Sequence, residues 1–310
     1  MSAITHISCS ESPTKEKTVS EQALSIAILR SVKRIARQTP LRRIKALRNL
    51  HYALTMKLHD SNEVTIDGLR FKHHPDDLFL PSSLVLDGGY EDEIIAVLTS
   101  LLNPGDVVLD VGANMGIHTM FFARAVGPDG TVIAVEPDPI NLEYLKTNIS
   151  LNGYESQIIV VPYAFGEENE TKTFYQSQKS RGLCSLAMLD EDSTVMEIEI
   201  VRGADYLDNM ALSRPIKLAK IDVVGSEAKV VAGLGAYKPA IIMFEYIPYM
   251  AERIGVDIRA FLASMFDDGY SLEVIVDRNT LVPANTPSRV LELLDVDADI
   301  NNVLARRPTS

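Results

Sequence analysis

Residues 104–116 read Pro-Gly-Asp-Val-Val-Leu-Asp-Val-Gly-Ala-Asn-Met-Gly and run directly into Ile117, Met120 and Phe121. Val107 to Val111 is a short apolar run rich in β-branched residues, which predicts a buried strand. Glycines at 112 and 116 permit a tight turn, and helical spacing begins at Ile117. A strand entering a helix through such a turn opens a parallel α/β sheet. The same alternation continues outward. Thr131 to Val135 precedes a helix over Ile140 to Leu151, and Ile158 to Val161 forms the next strand. Leu218 to Val223 leads to a helix through Val230 and Leu234, then to Ile241 to Tyr246. Upstream, Glu91 to Leu102 carries Ile94, Ile95, Leu98 and Leu101 at helical spacing and stops at Asn103-Pro104-Gly105. The expected fold is α/β, a doubly wound Rossmann-like sheet with helices on both faces.

Between Gly166 and Pro215 the alternation lapses. Thr173 to Tyr175 and Glu197 to Val201 read as extra strands around a loop over Gln176 to Ser193, an insertion placed to cover a site. Ile258 to Phe266 reads as a helix and Tyr270 to Val276 as a strand. Asp277-Arg278-Asn279 then turns into Thr280-Leu281-Val282, an antiparallel edge. Ahead of the main unit, Val64, Ile66, Leu69 and Phe71 flank Asp67-Gly68, the pair suited to a two-residue hairpin turn.

The chain has 310 residues, 46% apolar and 23% charged, enough for a sizeable core. Its 30 basic and 42 acidic residues leave a net charge of −12, which argues against broad electrostatic capture of nucleic acid. The first 60 residues hold 11 basic and four acidic side chains, leaving 19 basic and 38 acidic for the rest. Residues 1–20 read as a disordered polar leader. Residues 21–60 read as two amphipathic basic helices, carrying Leu24, Ile28, Val32 and Ile35, then Ile44, Leu47, Leu50 and Leu54. Such helices either pack with a solvated cationic face or touch an anionic membrane surface or substrate. Residues 61–310 form the remaining domain. Cys9 and Cys184 make neither a disulfide framework nor a paired metal motif, and no run reaches membrane-spanning length. The polar start lacks the apolar middle of a secretory signal, so a soluble, cytoplasmic protein is expected and the sequons at Asn148 and Asn169 read as coincidental.

The glycine turn has the form D-x-G-x-x-x-G. A dinucleotide fingerprint requires G-x-G-x-x-G, whereas here Asp110 holds a negative charge at the strand end and Asn114 takes the place of a glycine. That excludes a pyrophosphate reading and suits a cationic ligand bearing an ammonium and a sulfonium, as S-adenosylmethionine does. Glu136 ends the second strand in Val135-Glu136-Pro137, where an acid accepts hydrogen bonds from ribose hydroxyls. Tyr163, Ala164 and Phe165 follow the third strand, placed either to pack on an adenine or to fill core.

Four pieces in order resemble the FkbM-type class I methyltransferases, over approximately Tyr90 to Tyr246. They are Gly89-Tyr90-Glu91; Pro104 to Gly116; Ala134-Val135-Glu136-Pro137; and Lys220-Ile221-Asp222-Val223-Val224-Gly225-Ser226-Glu227, supported by Phe244-Glu245. The resemblance implies a seven-stranded methyltransferase sheet and methyl transfer from S-adenosylmethionine, usually to a hydroxyl of a saccharide or small-molecule metabolite. It also implies cofactor contacts at Glu91, Asp110, Gly112, Asn114, Gly116, Glu136, Pro137 and Ala164. The family usually reads Lys-Ile-Asp-Val-Glu-Gly at the fourth piece, and this chain has Val224 where the Glu is expected.

Asp222 and Glu245 stand at the carboxyl ends of strands, where ligands of open α/β sheets bind. Methyl transfer is an in-line displacement aided by aligning an acceptor oxygen and removing its proton, so Asp222 is the first candidate base and Glu245 the second. His118, just after the glycine turn, is a third candidate; the bland alternative is a capping or surface histidine. His73-His74 lacks the spacing of a zinc pair, two acids alone do not make a magnesium site, and no metal is expected. Cys184 has no visible partner base. The rival from another class is a non-catalytic binding or scaffold protein that retains the fold, which Val224 favours. Nucleic-acid methylation is disfavoured by the acidic body and by the lack of an Asn/Asp-Pro-Pro-aromatic motif.

Overall fold

A computed structural model describes residues 31, 62–75, 90–176, 184–186, 193–277, 280–294 and 301–308. The chain divides into two compact units, Met1–Asp60 and Ser61–Ser310. The leader over 1–20 and the basic helices expected over 21–60 lie outside the described residues, apart from residue 31, which is helical.

In the second unit β1 (Glu63–Ile66) and β2 (Leu69–Lys72) pair antiparallel. Asp67 and Gly68 both have positive φ, 48° and 82°, as the expected hairpin turn demands. Helix α1 (Asp92–Ser100) follows, then β3 (Val107–Val111), α2 (Ile117–Val126), β4 (Thr131–Val135), α3 (Pro139–Asn152) and β5 (Ile158–Val161). Next come β6 (Ala164–Gly166), β7 (Glu170–Gln176), β8 (Cys184–Ser185), β9 (Thr194–Arg202) and α4 (Gly203–Met210). The chain continues through β10 (Ile216–Ile221), α5 (Glu227–Gly233), β11 (Ile241–Tyr246), α6 (Pro248–Arg253) and α7 (Ile258–Asp267). It ends with β12 (Ser271–Asp277), β13 (Thr280–Ala284), α8 (Pro287–Leu293) and β14 (Asn301–Arg306).

The main sheet runs β13-β12-β14-β11-β10-β3-β4-β5. β3, β4, β5, β10 and β11 are mutually parallel, and their near-continuous apolar sequences fit strands covered on both sides. β14 inserts antiparallel between β11 and β12, and β13 pairs antiparallel with β12 as the edge. One apolar core gathers Leu109, Ile133, Ala219, Ile221 and Phe244 from the strands with Leu207, Val230, Leu234 and Leu262 from the helices. Each such fully buried side chain is worth roughly 1.5–3 kcal/mol against exposure.

The chain leaves β3 toward β4 and β5 on one side, and later returns to fill β10 and β11 on the other. That reversal puts a crevice at the carboxyl ends of β3 and β10. The insertion expected over residues 166–215 forms a second sheet, β6-β9-β7-β8, in which the two expected strands are β7 and β9, paired antiparallel. The hairpin docks on α3 through Asn148, whose side chain bonds both the N–H and the carbonyl of Lys72 and also the Met115 carbonyl. Asn148 is fully buried, so its sequon has no access to a glycosylating enzyme.

Candidate active site

The turn after β3 is built as its glycines required. Gly112 and Gly116 have φ of 81° and 92°, and Asn114 joins them in the left-handed region at 53°. A Cβ on Gly112 would lie 1.8 Å from the Asp222 carbonyl oxygen, so this glycine lets the β3 and β10 turns touch. Gly116 packs in the same way against Leu145 and Met120.

Glu136, at the end of β4, closes that turn. Its Oε2 accepts from the Asn114 N–H at 2.8 Å, and its Oε1 accepts from the Asp138 N–H at 2.9 Å and from Asn141 Nδ2 at 3.4 Å. Burial is the largest influence on this carboxyl and pushes its pKa up to about 7 against those donors. Pro137 follows, half-buried, and Asp138 caps α3 by accepting from the N–H groups of Ile140 and Asn141.

Asp110 and Lys220 are register partners on adjacent parallel strands. Lys220 is 2% exposed; its Nζ lies 3.1 Å from Asp222 Oδ2 and 3.7 Å from Asp110 Oδ1. Burial works against its charge, yet Asp222, Asp110 and Glu91 hold the ammonium above the usual lysine range. Asp110 is fully buried, with Oδ2 accepting from Thr119 Oγ1 at 2.6 Å and Oδ1 lacking any hydrogen bond. Burial raises its carboxyl, opposed by Lys220 and Thr119.

Two further acids join this group. Glu245 at the end of β11 is buried, and its carboxyl is pushed well above the ordinary range by burial, by the Asp222 and Glu91 charges and by a hydrogen bond with Asp222. Glu91 precedes α1 with φ of 48°, and burial together with the Asp222 charge lifts its pKa to about 7. His118 Nε2 lies 3.4 Å from Glu91 Oε2 without making a hydrogen bond, and burial and the Lys220 charge hold the imidazole well below its usual range, hence neutral. Tyr90 stacks edge-on against His118, and burial and the charges of Glu91, Asp222 and Glu245 raise its phenol well above normal.

The structure therefore brings together Asp110, Asp222, Glu245, Glu91 and His118 around Lys220, and joins Asn114 to Glu136. Ala164 sits apart in its packing: it opens β6, half-buried against the small core of Phe174, Ile198 and Ile200. Phe165 is buried in the main core and Tyr163 packs against its rim. Among the described residues, no group of three or more His, Cys, Asp and Glu side chains is arranged to hold a metal ion, and no helix is long and apolar enough to cross a membrane. Lys220, Tyr90 and Thr119 carried no functional assignment in the sequence. The available signal was Lys220 itself, a charged residue following the apolar pair Leu218-Ala219 and preceding Ile221 in a buried strand.

A sheet ordered β5-β4-β3-β10-β11-β14-β12, with β14 antiparallel and an acid-flanked glycine turn at its switch point, defines the class I S-adenosylmethionine-dependent methyltransferase fold. The model of the methyltransferase FkbM domain matches residues 110–272, more than half of the chain, and the chain belongs to that family. A protein-L-isoaspartate O-methyltransferase of Methanopyrus kandleri is 31% identical over 140 residues, covering 41% of this chain and 59% of that protein. The 31-O-demethyl-FK506 methyltransferase FkbM of Streptomyces tacrolimicus is 29% identical over 160 residues, covering 43% and 61%. The chain thus spans about three fifths of the length of these relatives. A solved FkbM methyltransferase from Methylobacillus flagellatus is 16% identical with a TM-score of 0.40, covering 74% of this chain and 53% of that one.

S-adenosylmethionine is the cofactor of this class, and the residues present fit it. Asp110 and Asp222 flank the single Lys220 ammonium with Glu91 and Glu245 close by, a carboxyl-rich lining that suits a ligand carrying a sulfonium and an ammonium. The buried Asp110 Oδ1 has no hydrogen-bond donor of its own, and Glu136 Oε2, which accepts from Asn114 alone, retains acceptor capacity for a hydroxyl.

Proposed function

We propose that this protein transfers a methyl group from S-adenosylmethionine to a hydroxyl oxygen of a saccharide or other small-molecule acceptor. In this reading Glu136 and Pro137 hold the ribose, while Asp110, Gly112, Asn114, Gly116 and Glu91 hold the amino-acid end. Ala164 lies toward the adenine, and the methyltransferase unit is residues 61–310. When bound, the cofactor supplies an electrophilic methyl on a positively charged sulfur. Asp222 takes the proton of the acceptor hydroxyl, Glu245 hydrogen-bonds Asp222, and neutral His118 orients the acceptor beside Glu91.

The observation that carries this reading is the position of Asp222. It follows β10 at the switch point, is only partly buried, and is braced by Lys220 at 3.1 Å within reach of the β3 turn. Oxygen as the receiving atom is supported by two relatives, the protein-L-isoaspartate O-methyltransferase and the 31-O-demethyl-FK506 methyltransferase. The test is release of the demethylated cofactor in the presence of candidate saccharides and hydroxylated metabolites. Asp222→Asn should lower turnover on the order of 10²–10⁴-fold while cofactor affinity changes little; unchanged turnover removes Asp222 from this role.

Val224 favours a second reading, binding without catalysis. It stands at φ 54° and packs on Ile247 and Met250, so position 224 itself supplies no carboxylate, and the carboxylate at this turn is that of Glu227, which accepts from the Val223 and Gly225 N–H groups. Cofactor binding without turnover on any acceptor would select this reading.

A further inference from the structure

The buried lysine of β10 belongs to the site but not to the chemistry described so far. Its Nζ faces Asp222 just beyond its own strand, Asp110 across on β3, Glu91 before α1, Glu245 on β11 and neutral His118 on α2. The two closest acids differ in what else they touch. Asp110 Oδ2 has the Thr119 hydroxyl, but its Oδ1 has no hydrogen-bond donor and only the ammonium at 3.7 Å. Asp222 has the ammonium at 3.1 Å on Oδ2 and is only partly buried.

Burying an ionised carboxylate costs several kcal/mol unless a counter-ion compensates it, and otherwise the group takes up a proton instead. One cation placed between two carboxylates of adjacent strands offsets that cost for both.

Resting on the methyl-transfer reading, we infer that Lys220 is a positioning residue, the counter-ion shared by Asp110 and Asp222. This divides the work between two acids that are otherwise chemically alike: Asp110 lies under the cofactor turn, and Asp222 faces the acceptor. Arginine at 220 preserves the charge, and methionine preserves the aliphatic stem while removing it.

The test uses the full chain and needs no acceptor. Infrared spectra are recorded in the carbonyl-stretch region of buried carboxylic acids at about pH 8.5, above the range in which carboxyls with pKa values near 7 titrate. Lys220→Met should gain protonated-acid intensity relative to the native protein, and Lys220→Arg should not. The gain should fall stepwise when Asp222→Asn and then Asp110→Asn are added. No gain, or a gain that survives both additions and so belongs to Glu91 or Glu245, overturns the inference.

Should Lys220→Met fail to fold, the native protein with isotope-labelled lysine supplies the answer by nitrogen-detected magnetic resonance. The Lys220 signal, identified by its loss in Lys220→Arg, should stay in the charged form at a pH where the surface lysines deprotonate. Titration together with those lysines overturns the inference. Calorimetric titration of the same samples with S-adenosylmethionine separates the two claims, because a native protein that binds no cofactor sinks the methyl-transfer reading and leaves the charge assignment to the spectra.

Discussion

The backbone N–H of Asn114 donates to Glu136 Oε2 at 2.8 Å, so the acid that ends β4 is also the group that closes the glycine turn after β3. Two sequence motifs 22 residues apart are thereby one structure. Glu136→Ala leaves the donors of Asn114, Asp138 and Asn141 without their acceptor in a buried place. It should cost roughly 2–4 kcal/mol in chemical denaturation. Glu136→Gln keeps an oxygen acceptor and should cost less than half as much; equal losses would contradict this account of the turn.

Glu91, Glu136 and Glu227 all have pKa values lifted to about 7, with burial the largest cause in each. Each folded-state group binds its proton more tightly than the unfolded chain does. Its contribution to stability is therefore full below the ordinary Glu range, near pH 4.5, and is lost as pH rises to about 7. Ligand-free protein should lose thermal stability across that window, on the order of 1–3 kcal/mol per group. Glu136→Gln should make the slope shallower, and an unaltered slope in that variant would count against the assignment.

Cofactor affinity should run the other way. Ribose hydroxyls donate to ionised Glu136, so S-adenosylmethionine should bind more tightly as pH rises through about 7. Calorimetry at a series of pH values reads this directly, and tighter binding under acidic conditions would contradict it.

Gly112→Ala puts a methyl 1.8 Å from a backbone carbonyl at a φ of 81°. Strain and overpacking together should cost at least about 3 kcal/mol. Gly153→Ala, at φ 72° with nothing within 4 Å, isolates the conformational part and should cost about 1 kcal/mol. Similar melting temperatures for the two variants would show that the β3 and β10 turns do not touch as described.

Val224→Glu restores the residue expected for the family, but among side chains of Ile247 and Met250 that are 2% and 0% exposed. Burying a carboxylate there should destabilise the protein by roughly 2–4 kcal/mol, more at alkaline pH. An unchanged melting temperature would mean that the turn reorients the new side chain toward the acids.

The parallel strands were legible because strands covered on both faces are near-continuous apolar runs, as Val107 to Val111 and Ile241 to Tyr246 are apart from the acids Asp110 and Glu245 near their ends. The hairpin was legible because Asp67-Gly68 supplies two positive φ values. β14 was not: Asn301–Arg306 carries two Asn and an Arg in six residues, and only its position between β11 and β12 buries it. β6 and β8 are two or three residues long and exist through pairing with β9 and β7, a long-range relation no local pattern encodes. At the site, strand-end acids follow from the architecture, so Asp110, Glu136, Asp222 and Glu245 could be singled out as candidates from the sequence. Lys220 and Tyr90 were assigned no role, because their significance lies in which carboxylates surround them, and that is set by register between strands.

The most direct test of the central claim is calorimetric titration of the native protein with S-adenosylmethionine and its demethylated product, repeated on Glu136→Gln and Asp222→Asn. The account predicts that the native protein binds both ligands, that Glu136→Gln weakens both at least about tenfold, and that Asp222→Asn stays within about threefold. A native protein that binds neither ligand, or a Glu136→Gln variant that binds as tightly as the native one, would contradict it.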